Sequence, residues 1–596
     1  MNNYAKPFIE KFFLWKTKHL TNHQFLMFLS AVIGFIAGLV AVTIKNLTHY
    51  IQMLLQGELI INYHQAFYFI FPLVGLAITL IIVKYLLKKD IGNGIPTTLH
   101  AISRRSGIMR KFQTYASLIT APITVGFGGS VGLEAPTVVT GAALSSNISR
   151  FFKMNQASRT LLIGCAAAGA MSALFKAPIA AIIFAIEIFS LDLTLISMIP
   201  LLLASVSAIL TTYFFSGSDI ILNSQLSDEF VMSQVPFYIL LGIIASMCSI
   251  YFTKIYFRIN SLFSTISNPF HRLLIGGTAL GILVFFIPPL YGEGYDVINN
   301  LLQENYLYAL ENNLLEGNLG NIWVVIGLLA GLVVFKIIAT SLTLGAGGIG
   351  GIFAPVLFMG SAMGHCFALI INNLGILKNP LSVSNFTMVG MAGLMAGIMH
   401  APLTAIFLIA ELTSGYDLFV PLMITAAISF MITSQVQPHS VYTLDLANRG
   451  ELITHNKDQM VLTLLNIRQV IETNFVTLSV DAKLGDVIRE GVIKSSRNLF
   501  PVVDKDGIFV GIILLDDIRP IMFNQSLYDE LRVRELMQAA PEIIDIAKDN
   551  TKEIMRKFNE SDAWNLPVVK NKKYIGFISK SKLLTAYRQK LIEVTV

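Results

Sequence analysis

Glu134 is the only acidic or basic side chain between Lys111 and Arg150, in a stretch otherwise rich in apolar and small residues. Ionisable residues inside such stretches are costly to bury and usually serve an ion path, a proton path or a ligand. Its neighbours narrow the choice. Gly128-Gly129, Gly132, Ala135-Pro136 and Gly141 recur as Gly347-Gly348, Gly351, Ala354-Pro355 and Gly360, so the pattern GGxxGxxAPxxxxG occurs twice. Glycine lets the backbone run irregularly, and proline in the first turn of a helix removes an N–H that has no partner there. Each motif therefore predicts a helix that begins after an irregular approach. A helix start offers free N–H groups and about half a positive charge, so two of them meeting form an anion site without a fixed cation. Tight packing of small residues explains one such motif better than two in register. Glu134 would compete with the anion, held ionised while the site is empty and protonated or swung aside when an anion enters. Its repeat counterpart is Phe353, so symmetry does not require a carboxylate there. A second correspondence sets Ala177-Pro178 and Glu187 on Ala401-Pro402 and Glu411, each Glu nine residues after its Pro. Because both copies keep this carboxylate, it reads as a shared structural device, pairing or capping at a helix end.

The elements that must position these residues lie in a membrane. The chain has 596 residues, 54% of them apolar, only 13% charged, with a mean hydropathy of +0.65; a soluble chain would be about a quarter charged. The charges are unevenly placed, 43 in residues 443–596 and 37 in the first 442. A membrane part of 25–442 thus follows a short segment, 1–24, and precedes a soluble part, 443–596. Phe25–Ile44 is an uncharged run long enough to span a bilayer, which takes ~20 residues, and too long for a cleaved leader. Lys6, Lys11, Lys16 and Lys18 precede it, and the run 66–83 ends at Lys84, Lys88 and Lys89; the positive-inside rule puts both basic ends, and both termini, in the cytoplasm. Further apolar runs follow, several too short or too interrupted by Gly and Pro to be simple spans. Broken backbone is tolerated in a membrane only where protein buries it or a watery cavity solvates it, which points to a transport path, and paired interrupted segments mark a transporter's binding site. Net charge is +6 with no basic run interleaved with aromatics, which excludes a nucleic-acid surface. Cys165, Cys248 and Cys366 are too scattered for a disulfide framework or metal cluster, and His100, His365 and His400 have no metal-ligand spacing. No Ser/His/Asp or HExxH constellation suggests an enzyme.

Gly92-Asn93-Gly94-Ile95-Pro96, Gly132-Leu133-Glu134-Ala135-Pro136, Gly351-Ile352-Phe353-Ala354-Pro355 and Tyr442 resemble, in order and spacing, the four anion-site elements of the CLC chloride channel and transporter family. The resemblance implies an α-helical integral membrane domain with an inverted internal repeat, assembled as a homodimer with one pore per subunit in the inner membrane. It implies that Asn93 and Gly94 in the first motif, backbone N–H groups of Ile352 and Phe353 and the Tyr442 hydroxyl hold chloride or another small anion, and that Glu134 is the gate. The sequence departs from the family where Asn93 replaces a common Ser, where Leu133 and Ala135 replace a basic residue and a Gly, and where Ile188 stands at the inner glutamate through which exchangers pass protons. An Ile cannot carry a proton. Glu134, Glu187 and the Ile188 position are therefore the points to test on any proton path, with a glutamate-gated channel ahead of a proton-coupled Cl⁻/H⁺ or F⁻/H⁺ antiporter.

The soluble part also repeats. Asn498–Gly511 aligns with Asn565–Gly576, each a short apolar strand, a polar turn and a second strand before a helix. The pair resembles a tandem CBS module, an α/β pair at about 468–525 and 532–590. In such modules a Ser or Thr and an Asp after the second strand grip a nucleotide; here Leu514 and Asp517 fall in the first copy, Ser579 and Lys582 in the second. Asp517 and Ser579 are thus candidates for an adenine nucleotide, beside a purely structural role, and no cofactor is required for transport. CBS pairs also accompany divalent-cation transporters, but three acidic residues among the repeat motifs make a poor cation path.

Overall fold

The computed structural model describes residues 18–55, 64–89, 91–92, 94–192, 194–217, 222, 230–310, 319–413, 417–449, 465 and 467–595. The chain divides into two compact units, Met1–Leu452 and Ile453–Val596.

The first unit is helical. Its first half holds α1 (Asn22–Leu55), α2 (His64–Ile81), α3 (Ile95–Arg104), α4 (Ala116–Gly126), α5 (Glu134–Phe151), α6 (Gln156–Phe175), α7 (Pro178–Phe189) and α8 (Leu195–Ser216). Its second half holds α9 (Val235–Thr265), α10 (Pro269–Phe286), α11 (Tyr295–Leu302), α12 (Ile322–Gly345), α13 (Phe353–Asn373), α14 (Val383–Met399), α15 (Pro402–Leu412) and α16 (Phe419–Val436). Among the described residues, nine helices are long and apolar enough to cross a membrane. The predicted span Phe25–Ile44 lies inside the 34-residue α1. By contrast, α7 has 12 residues and α15 has 11. At ~1.5 Å per residue neither reaches across a hydrocarbon core of ~30 Å. They pack against each other instead.

The duplication is visible as contacts that the two halves exchange. Ser130 N donates to Thr343 Oγ1 at 3.1 Å, and Ile349 N donates to Thr124 Oγ1 at 3.1 Å. Gly132 and Gly351 form an antiparallel bridge with each other, N–H to O at 2.9 and 2.7 Å. An antiparallel bridge between repeat-equivalent residues requires a local two-fold axis, so the repeat is inverted about this point. Close helix packing is bought by glycine where backbones touch: a Cβ on Gly364 of α13 would lie 2.0 Å from Phe386 O of α14.

The second unit holds two three-stranded sheets of one design. β1 (Leu478–Ser479) pairs parallel with β2 (Leu499–Val503), which pairs antiparallel with β3 (Phe509–Leu514). β4 (Ile544–Asp545), β5 (Asn565–Lys570) and β6 (Lys573–Ser579) repeat the order. The register matches too, Leu478 opposite Val502 and Ile544 opposite Val568, with a bulge after each of those valines. α17 (Thr551–Ser561) and α18 (Lys580–Thr595) belong to the second copy. Each copy has its own apolar core, one around Phe500 and Ile513, the other around Phe558 and Ile578, and Leu499, Ile512 and Phe577 join the copies. The strand-turn-strand-helix order expected from the sequence is the order found.

Candidate anion site

Three helix starts converge where the repeats meet. Leu133 and Ile352 are the N-caps of α5 and α13 with nearly the same backbone angles, φ −89° and ψ −8° against φ −94° and ψ −3°. Glu134 and Phe353 are therefore the first residues of their helices, and Pro136 and Pro355 the third. Gly94, with φ +61°, caps α3. A Cβ added to Gly94 would lie 3.2 Å from Ala135 Cβ, and one added to Gly351 2.8 Å from the same atom, so the three starts share one small volume. The amides of Ile352 and Phe353 have no acceptor among the described residues. Asn93 lies outside the described residues.

The Glu134 carboxylate occupies this volume. Glu134 is 2% exposed, and its Oε1 accepts a hydrogen bond from the Tyr295 hydroxyl. Its Oε2 has no hydrogen-bond partner among the described residues. A Cβ on Gly132 would meet that Oε2 at 2.1 Å and Ala354 Cβ at 2.9 Å. Gly132 is thus needed twice, for the bridge to Gly351 and for room beside the carboxylate. Tyr442 is buried, held by Val441 N donating to Ile398 O at 3.3 Å. Its hydroxyl has no partner among the described residues, though it lies within electrostatic range of Glu134. A buried hydroxyl without a partner costs ~1–3 kcal/mol unless a ligand supplies the acceptor. Gly94, Glu134, Ile352 and Phe353 thus gather around one point, with Tyr442 in electrostatic range of Glu134.

Glu187 is elsewhere. Leu403 N and Thr404 N, at the start of α15, donate to its carboxylate at 3.1 and 2.7 Å, and Thr404 Oγ1 donates at 2.5 Å. Glu411 returns the arrangement, accepting from Ile179 N and Ala180 N of α7 at 3.0 and 2.8 Å. Each carboxylate satisfies two orphan amides of the other repeat's helix. Ile188 is buried and lies one turn beyond Phe184, on the same face of α7. Phe184 in turn packs on Phe353, ring centroids 6.2 Å apart. The histidines hold the ends and core of helices: His400 is the left-handed C-cap of α14, and buried His365 shares a hydrogen bond with Thr387 at 3.1 Å.

Glu134 is the only charge in its own stretch of sequence, and the fold brings Glu293 and Lys336 near it from elsewhere in the chain. Glu293 Oε1 accepts from Leu133 N at 2.9 Å, and fully buried Lys336 donates to Gly292 O at 3.0 Å. Lys336 was detectable, as the sole charge in the 24-residue apolar helix α12. Glu293 and Tyr295 lie in Gly292-Glu293-Gly294-Tyr295, whose likeness to Gly92-Asn93-Gly94-Ile95 is the signal that could have found them, but only the fold carries this segment onto Gly128, Leu133 and Glu134.

In the second unit Asp517 and Ser579 are engaged. Gln538 Nε2 donates to Asp517 Oδ2 at 2.6 Å, and Ser579 Oγ donates to Glu472 Oε1 at 2.8 Å. Glu472 also binds Arg497 at 2.7 Å. Gln538 and Glu472 each bridge the last strand of the opposite copy, at Ile512 and Phe577.

Residues 74–434 match the family model described as voltage gated chloride channel. The chain belongs to that family. Residues 467–523 and 533–589 each match the CBS domain, so the soluble unit is a CBS pair. Within the chloride channel family the chain is similar to a protein of Vibrio cholerae named H(+)/Cl(-) exchange transporter ClcA, 28% identical over 67% of this chain and 84% of that protein. It shares its fold with a solved slow cyanobacterial Cl⁻/H⁺ antiporter (TM-score 0.61, 21% identity, 72% of this chain and 98% of the other). It also shares it with a eukaryotic CLC transporter (TM-score 0.59, 15% identity, 94% and 97%). The CLC fold, an inverted helical repeat followed by a CBS pair, is therefore the architecture of this chain.

Proposed function

We propose that the protein carries chloride across the inner membrane through a path gated by the Glu134 side chain. The observation that carries this reading is the Gly132–Gly351 bridge, which sets two helix starts back to back with the Glu134 carboxylate beside them. In this reading the carboxylate is the site's own anion. It takes the place of chloride, and leaves when it is protonated or displaced. The Ile352 and Phe353 amides and the Tyr442 hydroxyl then receive the ion, with Gly94 at the start of α3. Preorganised donors of this kind bind an anion without the reorganisation that water would need. A divalent cation would face three positive helix ends, so the cation-transporter reading is unsupported.

The test is chloride efflux from liposomes holding the purified full-length protein. Glu134→Gln keeps the volume and removes the competing charge, so efflux should rise and lose its dependence on pH. Unchanged flux and an unchanged pH profile would refute the gate.

Proton-coupled exchange is the second reading, favoured by relatives named as exchange transporters. Against it stand buried Ile188 at the inner position and a Glu187 already bonded to three donors. Recording protons together with chloride decides between them: the channel reading expects no uphill proton movement in a chloride gradient.

The functional unit in this reading is a homodimer with cytoplasmic termini. Its support is that the mutually packed short helices α7 and α15 leave Ile179 and Leu403 exposed, an apolar surface a second copy would cover. Adenine nucleotide at the CBS pair would have to take Asp517 from Gln538 and Ser579 from Glu472, so the pair acts first as a structural module and binds nucleotide only by rearranging these contacts.

A further inference from the structure

The segment Leu290–Tyr295 lies as a strap across Gly126–Glu134; its Gly292-Glu293-Gly294 repeats the Gly92-Asn93-Gly94 sequence before α3, with Glu293 and Tyr295 standing where the first half has Asn93 and Ile95. Tyr291 Oη donates to Gly126 O at 3.3 Å, Gly292 N donates to Gly128 O at 3.3 Å, and Glu293 accepts from Leu133 N at 2.9 Å. At its end, Tyr295 Oη donates to Glu134 Oε1. Gly292 and Gly294 have φ of +62° and +89°, left-handed angles that fold the strap sharply on either side of Glu293. A Cβ on Gly294 would lie 2.4 Å from the Phe358 ring. From the far side Lys336 pins the strap, its Nζ donating to Gly292 O at 3.0 Å and Leu290 O at 3.4 Å, 4.5 Å from the Phe358 ring centroid.

Resting on the reading of Glu134 as gate, we infer that Tyr295 is a positioning residue that latches the gate shut, its hydroxyl holding the Glu134 carboxylate between the helix starts while Lys336 fixes the strap that carries it. The latch is charge-dependent. An O–H donor bonds a carboxylate about twice as strongly as a neutral oxygen, so protonating Glu134 loosens it and an entering anion must break it. The other charged or titratable groups facing this pair are Glu293 on the strap, Lys336 on α12, Lys45 on α1, which acts on Glu293, and Tyr442 after α16. Among the described residues only Tyr295 gives Glu134 a side-chain hydrogen bond. Phe175, 6.4 Å from the Tyr295 ring centroid, keeps that ring in place whether or not it bears a hydroxyl.

The experiment measures chloride efflux against pH for full-length wild type, Tyr295→Phe, Glu134→Gln and the double variant in liposomes. Tyr295→Phe should raise efflux at neutral and alkaline pH roughly tenfold, the size of a lost charge-assisted hydrogen bond, and move the midpoint of acid activation to higher pH. In the Glu134→Gln background it should add nothing. A wild-type profile in Tyr295→Phe, or an equal increase in both backgrounds, would overturn the latch and leave the gate standing. No effect of Glu134→Gln itself would remove the gate and the latch together. Lys336→Met attacks the strap from α12 and should shift the midpoint in the same direction; a well-assembled Lys336→Met with the wild-type profile would also count against the latch.

Discussion

Glu187 can be a helix cap or a proton acceptor, and its surroundings give each role a different consequence. Its carboxylate accepts three hydrogen bonds, two from amides and one from the Thr404 hydroxyl. Glu187→Gln keeps one acceptor oxygen but turns an NH2 donor toward groups that are themselves donors, and it removes a negative charge from a helix start. Hydrogen bonds to a charged group contribute ~1.5–3 kcal/mol each, and a charge at a helix end ~0.3–1 kcal/mol. Losing at least one such bond and the charge should therefore destabilise the membrane unit by ~2–3 kcal/mol. Glu411 offers an internal control, because it accepts two amide bonds and no hydroxyl. Glu411→Gln should cost ~1 kcal/mol less, and Thr404→Val should close most of that difference. The measurement is unfolding of the purified protein in mixed micelles, followed by circular dichroism over a denaturant titration, with proton and chloride fluxes recorded on the same preparations. The cap reading expects a stability loss ordered Glu187 before Glu411 and no change in proton movement. Unaltered stability with proton transport abolished in Glu187→Gln would refute it and make Glu187 the inner proton acceptor.

Tyr442→Phe removes a buried hydroxyl that has no partner among the described residues, so the fold should keep or gain stability while chloride affinity, read by calorimetry, falls roughly tenfold; equal affinity would detach Tyr442 from the site. Asp517→Ala breaks the Gln538 contact, and if a nucleotide uses this position, ATP, ADP or AMP binding to the full-length protein should weaken with chloride transport unchanged; no binding by the wild type would leave the CBS pair structural. Burial raises the Glu472 carboxyl, but the Ser579 hydroxyl and Arg497 outweigh it and hold it below its ordinary 4.5. A depressed carboxyl contributes stability above its unfolded value and loses it as pH falls through its folded one. Glu472→Gln should therefore lower the CBS unit's melting temperature near pH 7, and the gap should close as pH falls through the depressed value of the folded carboxyl; a gap that stays constant on acidification would mean that charge is not the cause.

The sequence exposed whatever the duplication wrote twice. GGxxGxxAPxxxxG marked both central helices to the residue, and paired strand-turn-strand segments marked both CBS copies, because the same local rules act on each copy. Element lengths were less legible. Apolar composition cannot separate a spanning helix from the 12- and 11-residue pieces α7 and α15, whose boundaries are set by the partner helix that each carboxylate caps. The strap's glycines are written twice, as Gly92 and Gly94 and as Gly292 and Gly294, but what the strap touches was not legible. Its contacts with Gly126, Gly128, Leu133 and Glu134 join residues about 160 apart in the chain, and no periodicity reports such a pairing.

Symmetry then separates framework from chemistry. Where repeat-equivalent residues exchange equivalent bonds, as Thr124 with Thr343, Gly132 with Gly351 and Glu187 with Glu411, the contact holds the two halves together, and each half needs the other's copy. A gate that opens toward one side of the bilayer cannot be shared in this way, since the inverted copy would face the opposite side. It must sit where the equivalence fails. Glu134 faces Phe353 in its counterpart position, and Glu293 and Tyr295 of the strap stand where the first half has Asn93 and Ile95. Tyr442 lies beyond the last repeated helix. Ile188 and its counterpart Leu412 fall on the other side of this division: both are aliphatic and buried, so neither half supplies an inner titratable group. The site is asymmetric at Glu134 and symmetric at Ile188, and on the proposed reading that asymmetry is the gate and that symmetry leaves it without an inner proton station at these positions.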